Sequence, residues 1–128
     1  MMLVLVSDSI AREGIEILHR HARVVVDDKI TTDALLLAIP EYDALIVRSR
    51  TKVIAPIIEA GTRLRVIGRA GVGLDNIDTE AAARCGVTVV NSPTSVMLSV
   101  AEHTLGLMIA LARHIPQSDA SLRRGGWE

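Results

Sequence analysis

"LVLVSDSIAREGIEILHRH", residues 3–21, changes its periodicity part-way, and that change points to the fold. Leu3 to Val6 is an unbroken aliphatic run of strand length, as expected of a strand covered on both faces. Ser7 and Asp8 end the run, and Ser9 offers an N-cap for the stretch from Ile10 to His21. There Ile10, Gly14, Ile17, Leu18 and His21 fall on one helical face. A strand passes directly into a helix.

The alternation then repeats. "RVVVD" (23–27) reads as the second strand, "TTDALLLAI" (31–39) as a short helix closed by Pro40, and "DALIVRS" (43–49) as the third strand. After Pro56, "IIEAG" gives one or two helical turns ending at Gly61, and "LRVIG" (64–68) is the fourth strand. "DTEAAARCG" (78–86) carries Asp78 as N-cap, Glu80 in the first turn and Gly86 as the stop, and "VTVVN" (87–91) is the fifth strand. Aliphatic strands separated by helices, joined by right-handed crossovers, predict an α/β fold. Its form is a flavodoxin-like, doubly wound parallel sheet over residues 1 to about 92.

Beyond "NSPTS" (91–95) the pattern differs. A helix of about 16 residues begins near Leu98, a shorter helical piece covers "PQSDASLRR", and "GGWE" follows. The long helix reads as largely buried, with a stripe of Leu98, Leu105, Met108, Ile109 and Leu111 that a partner subunit or further chain should cover.

Composition narrows the function. Of 128 residues 49% are hydrophobic, almost all aliphatic, with no Phe, one Tyr and one Trp, which excludes a disordered chain or an aromatic platform for bases. A net charge of -1 gives no basic field for nucleic acid or anionic lipid. Any anion must be gripped by a few local groups. The single Cys85 and the lack of a basic segment before the first apolar run predict a cytoplasmic location, and no stretch is long enough to span a membrane.

In such sheets ligands sit beyond the carboxyl ends of the strands. "RSRT" after the third strand offers Arg48, Ser49, Arg50 and Thr51, and in an extended chain the two arginines point the same way, as a forked donor set for phosphate or carboxylate would. Surface arginines at a strand end are the structural alternative. After the fourth strand come Arg69 and the loop Gly71-Val72-Gly73. A dinucleotide fingerprint would need GxGxxG, but Asn76 holds the third position and the loop follows the fourth strand rather than the first. An anion nest for a small carboxylate fits better.

His19 and His21 read as surface residues, and Glu102 and His103 are helix neighbours about 100° apart that seldom act together. No metal site or catalytic residue is predicted. A receiver domain, the non-enzyme rival, would need a phosphoacceptor Asp after the third strand, where Arg48 stands instead.

Three blocks, "LIVRSRTKV", "LRVIGRAGVGLDNIDTEAAARCGVTVVNSPTS" and "SVAEHTLGLMIALARHIPQSDASLRRGGWE", resemble in this order the N-terminal portion of the D-isomer-specific 2-hydroxyacid dehydrogenases. The likeness is strongest to members that oxidise 3-phosphoglycerate to 3-phosphohydroxypyruvate in serine biosynthesis. The resemblance implies a substrate-binding domain over residues 1–97. A crossover helix and the start of an NAD-binding domain would follow over 98–128, with the remaining Rossmann domain missing. It places Arg48 and Ser49, with Arg69 nearby, at the substrate's phosphate end, and Gly71, Val72 and Gly73 at its carboxylate. Val72 also falls beside the nicotinamide of NAD, and the long helix at a homodimer contact. The family's GxGxxG motif and catalytic Arg, Glu and His fall outside these blocks, so the chain alone is expected to be inactive. Val96 stands where an Asn contacting substrate is common, which leaves the choice of 2-hydroxy acid open. The alternative is a stand-alone small-anion binding or interaction module derived from the substrate lobe.

Overall fold

A computed structural model describes residues 1–127, which fall into two compact units, Met1–Pro93 and the residues from Thr94 on. The first holds a five-stranded sheet of β1 (Leu3–Val6), β2 (Arg23–Val26), β3 (Ala44–Val47), β4 (Val66–Arg69) and β5 (Thr88–Asn91). Every pairing is parallel and the strand order is β2-β1-β3-β4-β5. That is the flavodoxin-like order, whose direction of winding reverses between β1 and β3.

Helices α1 (Arg12–His19), α2 (Thr32–Ala38), α3 (Ala55–Ala60) and α4 (Thr79–Arg84) fill the crossovers, with a 3-10 turn at Ile39–Glu41. Thr31 caps α2 by accepting from the Ala34 N–H, and Asp78 caps α4 by accepting from the Ala81 N–H. Pro56 lies in the first turn of α3, where its missing N–H costs nothing. Gly86 follows the end of α4 at φ 69°, the left-handed conformation that turns the chain into β5.

One sheet face and three helices make the main core. Leu5, Leu45, Val47 and Ile67 pack with Leu35, Ile39, Ile57 and Ile58, all almost fully buried. Each such side chain contributes about 1.5–3 kcal/mol. Ala81 and Ala82 complete the cluster from α4. On the other face Val4, Ala22 and Ala44 form a smaller cluster with Val24, Ile46 and Val66, and Val90 is left half exposed.

Two local expectations change. Ser9 does not cap α1: Ala11 is the N-cap residue, without a side-chain bond. The inward residues are Ile10, Gly14, Ile15, Leu18 and Ala22, while Ile17 and His21 are exposed. Ile17 lies about 100° round the helix from Leu18, and the helix stops before His21, so neither shares the packed face.

The second unit consists of α5 (Met97–Ala112) and α6 (Ile115–Arg123). His114 joins them in a left-handed conformation, and Pro116 in the first turn of α6 prevents a continuous helix. The expected burial of α5 is not found, since none of its residues is buried. Leu98, Leu105, Met108, Ile109 and Leu111 are all exposed, and Val100 and Leu107 extend the apolar surface beyond a single stripe. Among the described residues no helix is long and apolar enough to cross a membrane.

Gly86 tests the local reading of the α4 terminus. A Cβ there meets open space, so Gly86→Ala adds only backbone strain. It should cost about 1–2 kcal/mol in urea unfolding; an unchanged midpoint would show that the turn relaxes out of the left-handed region.

Candidate functional site

Asp8, buried at the carboxyl end of β1, organises the loop that follows β3. Its carboxylate accepts the N–H groups of Arg48 at 2.6 Å and Thr51 at 3.1 Å, and the Thr51 hydroxyl at 2.7 Å. Arg50 adds an ion pair through Nε at 3.2 Å. Ser7 joins from the same strand end, its Oγ lying 3.1 Å from Thr51 Oγ1. Burial raises the Asp8 carboxyl, but the Thr51 hydroxyl, the two backbone N–H groups and Arg50 outweigh it and hold the pKa below its ordinary 3.8.

This corrects the reading of Arg48 and Arg50 as twin donors. The strand ends at Val47 and the chain bends at Ser49 and Arg50, so the two-residue alternation of an extended strand is lost. Arg50 turns inward, donating through Nη1 to the Ile30 carbonyl at 3.1 Å and through Nη2 to the Ser7 carbonyl, besides its pair with Asp8. The Arg48 side chain, in contrast, has no hydrogen-bond or ion-pair partner among the described residues. Arg48 and Ser49 are exposed at an open depression of about 460 Å³ lined also by Asp8, Ser9, Asp28 and Arg50.

The glycine loop begins beside it. The β3–β4–β5 register sets Arg69 next to Val47 and Asn91. Beyond that row, the Gly71 carbonyl accepts the Ser92 N–H at 2.9 Å and the Val72 carbonyl accepts Asn91 Nδ2 at 2.6 Å. In a trans peptide the N–H points opposite to the C=O, so the amides of Val72 and Gly73 face away from the end of β5. Neither has a partner among the described residues. Two free, similarly directed amides on an exposed loop are what a small anion can use.

Gly71 serves space rather than an unusual φ. A Cβ there would collide with the Arg69 guanidinium, which folds back and donates through Nε to the Arg48 carbonyl at 3.2 Å. Arg69 therefore ties the glycine loop to the Arg48 loop.

Asn76 makes the second tie. Its Nδ2 donates to the carbonyls of Arg48 at 3.0 Å and Thr51 at 2.8 Å, and its own carbonyl accepts the Val53 N–H at 2.8 Å. Its Oδ1 is buried without a partner among the described residues, an arrangement that costs about 1–3 kcal/mol and that the two donated bonds must offset. In the sequence this residue is a glycine motif's missing third member; in the structure it is a link between loops. The sequence assigns no site role to Asp8, Asn76 or Asn91, and it offers Thr51 as a ligand hydroxyl where the structure has it bonded to Asp8. The signal available for Asp8 and Asn91 is a position at or just past a strand end, which they share with Arg48 and Arg69. Among the described residues no group of three or more His, Cys, Asp or Glu side chains is placed to hold a metal.

Residues 4–124 match the family model of the D-isomer specific 2-hydroxyacid dehydrogenase catalytic domain. The chain belongs to this family. Across its whole length it is 51% identical to D-3-phosphoglycerate dehydrogenase of Synechocystis, covering 23% of that protein. Hydroxypyruvate reductase of Thermotoga maritima is 46% identical over 96% of the chain, which covers 40% of that protein. Among solved structures, NAD+-bound 3-phosphoglycerate dehydrogenase of Entamoeba histolytica superposes with a TM-score of 0.74 at 33% identity, over 85% of this chain and 38% of the other. The chain thus corresponds to an N-terminal, phosphoglycerate-dehydrogenase-like region of the family and spans about a quarter of the length of its curated phosphoglycerate dehydrogenase relatives.

Asp8 gives this site a pH signature. A carboxyl whose folded pKa is lowered contributes stability that is fully present above its unfolded value near 3.8 and is lost as pH falls through the folded value. Asp8→Asn should therefore destabilise the chain by about 2–3 kcal/mol at pH 7, with the gap from wild type narrowing below pH ~4 in paired thermal melts. A gap that stays constant to pH ~2 would contradict the linkage.

Proposed function

We propose that this chain supplies the substrate lobe of an NAD-dependent D-2-hydroxyacid dehydrogenase that oxidises 3-phosphoglycerate to 3-phosphohydroxypyruvate. The observation that carries the reading is the free Arg48 guanidinium beside exposed Ser49, on a loop tied to a second loop with two free amides. A substrate with a phosphate at one end and a carboxylate at the other matches that pair of donor sets.

In this reading Arg48 and Ser49 hold the phosphate, and the Val72 and Gly73 amides hold the carboxylate. Arg69 braces the two and adds positive charge beside them. Residues 1–97 form the substrate-binding domain, and 98–128 the crossover helix and the beginning of the cofactor domain. The exposed Val72 side chain suits the apolar edge of a nicotinamide ring, so the residues present fit that end of NAD. When bound, NAD supplies hydride exchange at its nicotinamide C4 with C2 of the hydroxy acid. The chain's own part is to fix that acid by both ends.

Asp8 is committed to four donors and stays ionised at neutral pH, so it is no proton donor for the reaction. The chain by itself is accordingly read as binding substrate without turnover. The apolar α5 surface supports assembly into a homodimer or larger oligomer. A second reading, a stand-alone small-anion binding module, is favoured by one fact: every named donor lies in the unit Met1–Pro93, which has its own core.

Calorimetric titration with 3-phosphoglycerate tests the donors. Arg48→Ala should weaken binding about 10- to 100-fold, the loss of a charge-assisted contact. Unchanged affinity would remove the phosphate assignment. Non-phosphorylated glycerate should bind wild type more weakly than 3-phosphoglycerate; equal affinity would favour a different 2-hydroxy acid, as the Thermotoga relative's name and Val96 suggest. NADH formed by the 128-residue chain with NAD and 3-phosphoglycerate would overturn the reading that it lacks turnover.

A further inference from the structure

We infer that Asn76 is a positioning residue that fixes the spacing between the cationic Arg48–Ser49 loop and the free amides of the glycine loop, so that one ligand with two anionic ends can bridge them. The inference rests on the two-ended substrate proposed above. Its starting point is a symmetry in how the first loop is held. Asp8 takes the N–H groups of Arg48 and Thr51, while Asn76 Nδ2 gives its two protons to the carbonyls of the same two residues. Arg48 and Thr51 are thereby pinned on both sides. Ser49 and Arg50 make the bend between them.

The two grips are anchored differently. Asp8 belongs to the end of β1, so its bonds tie the loop to the sheet but not to the glycine loop. Asn76 belongs to the segment that leaves the glycine loop, and a parallel bridge fastens its backbone: the Val53 N–H donates to the Asn76 carbonyl and the Asp78 N–H to the Val53 carbonyl at 2.9 Å. Displacement of residues 71–75 therefore transmits to the Arg48 carbonyl through Asn76, and through Arg69 Nε on the same oxygen. A side-chain amide is suited to this position because it supplies two donors from one buried nitrogen. Aspartate would oppose two carbonyl oxygens with a third negative group, and glycine would supply nothing.

Fixed spacing has a specific consequence. The second contact of a bridging ligand forms at an effective concentration set by how firmly the two half-sites are held relative to each other. Loosening the clamp should weaken a two-ended ligand while leaving single-ended ones unchanged. A residue needed only for folding would weaken all of them alike.

The test is NMR titration of the 128-residue chain and of Asn76→Ala with 3-phosphoglycerate, inorganic phosphate and glycolate, plus amide hydrogen exchange at Arg48 and Thr51. Asn76→Ser, which keeps one donor, serves if the alanine variant does not fold. The expected result is a loss of about tenfold or more for 3-phosphoglycerate with little change for the other two, and faster exchange at both amides. Equal losses for all three ligands, or none for 3-phosphoglycerate, would overturn the inference. If wild type itself does not bind 3-phosphoglycerate, the proposed function fails and exchange decides the clamp: unchanged rates at Arg48 and Thr51 would discard it.

Discussion

The Asp8 carboxylate is the interaction on which the candidate site depends. It is buried and charged, and it remains so because three hydrogen bonds and one guanidinium meet it within a single bend of chain. A buried carboxylate without such partners would neutralise itself or unfold its surroundings. The loop is shaped by the carboxylate's demand for donors. Arg48 gives its amide to Asp8 and keeps its side chain free, whereas Arg50 gives its side chain. Two arginines in one tetrapeptide thus acquire opposite duties, one as a ligand group and one as a strut.

Much of this architecture is legible in the sequence because parallel strands are written as contiguous aliphatic runs. "LVLV" and "ALIV" announce central strands and "VTVV" an edge strand of the same sheet, and Thr31, Asp78, Gly61 and Gly86 sit where their chemistry predicts. Helix α1 was less legible, since eight residues with one weakly packed face leave the phase open to error by a residue. The positions of the exposed loops could also be read, because topology dictates which strand ends converge. Their side-chain directions could not. The alternation rule that paired Arg48 with Arg50 holds only for extended chain, and nothing in "RSRT" itself signals the bend. Asn76 was hidden for another reason: its partners are carbonyls some 25 and 28 residues away, and backbone acceptors carry no sequence signature.

Two surfaces remain apolar and open. The outer edge of the sheet at Val90 and the circumference of α5 expose aliphatic side chains that water does not favour. They belong to different units, and each is the kind of surface that association buries. The main core, by comparison, needs nothing further, since its strands and three helices close on one another.

The anchors of the Arg48 loop lie at the ends of β1, β3 and β4, the three inner strands of the sheet, whereas the glycine loop is also held at the end of the edge strand β5. Inner strands usually belong to the last cooperative unit to open, whereas binding loops commonly fray first. Here the loop cannot leave its place without breaking bonds to Asp8 and Ser7 at the end of β1. Opening of the Arg48 loop thus costs contacts at the end of an inner strand. Occupancy of the loops would therefore register as a shift in the melting temperature of the whole first unit, which makes an otherwise open depression a thermal sensor of its own ligand.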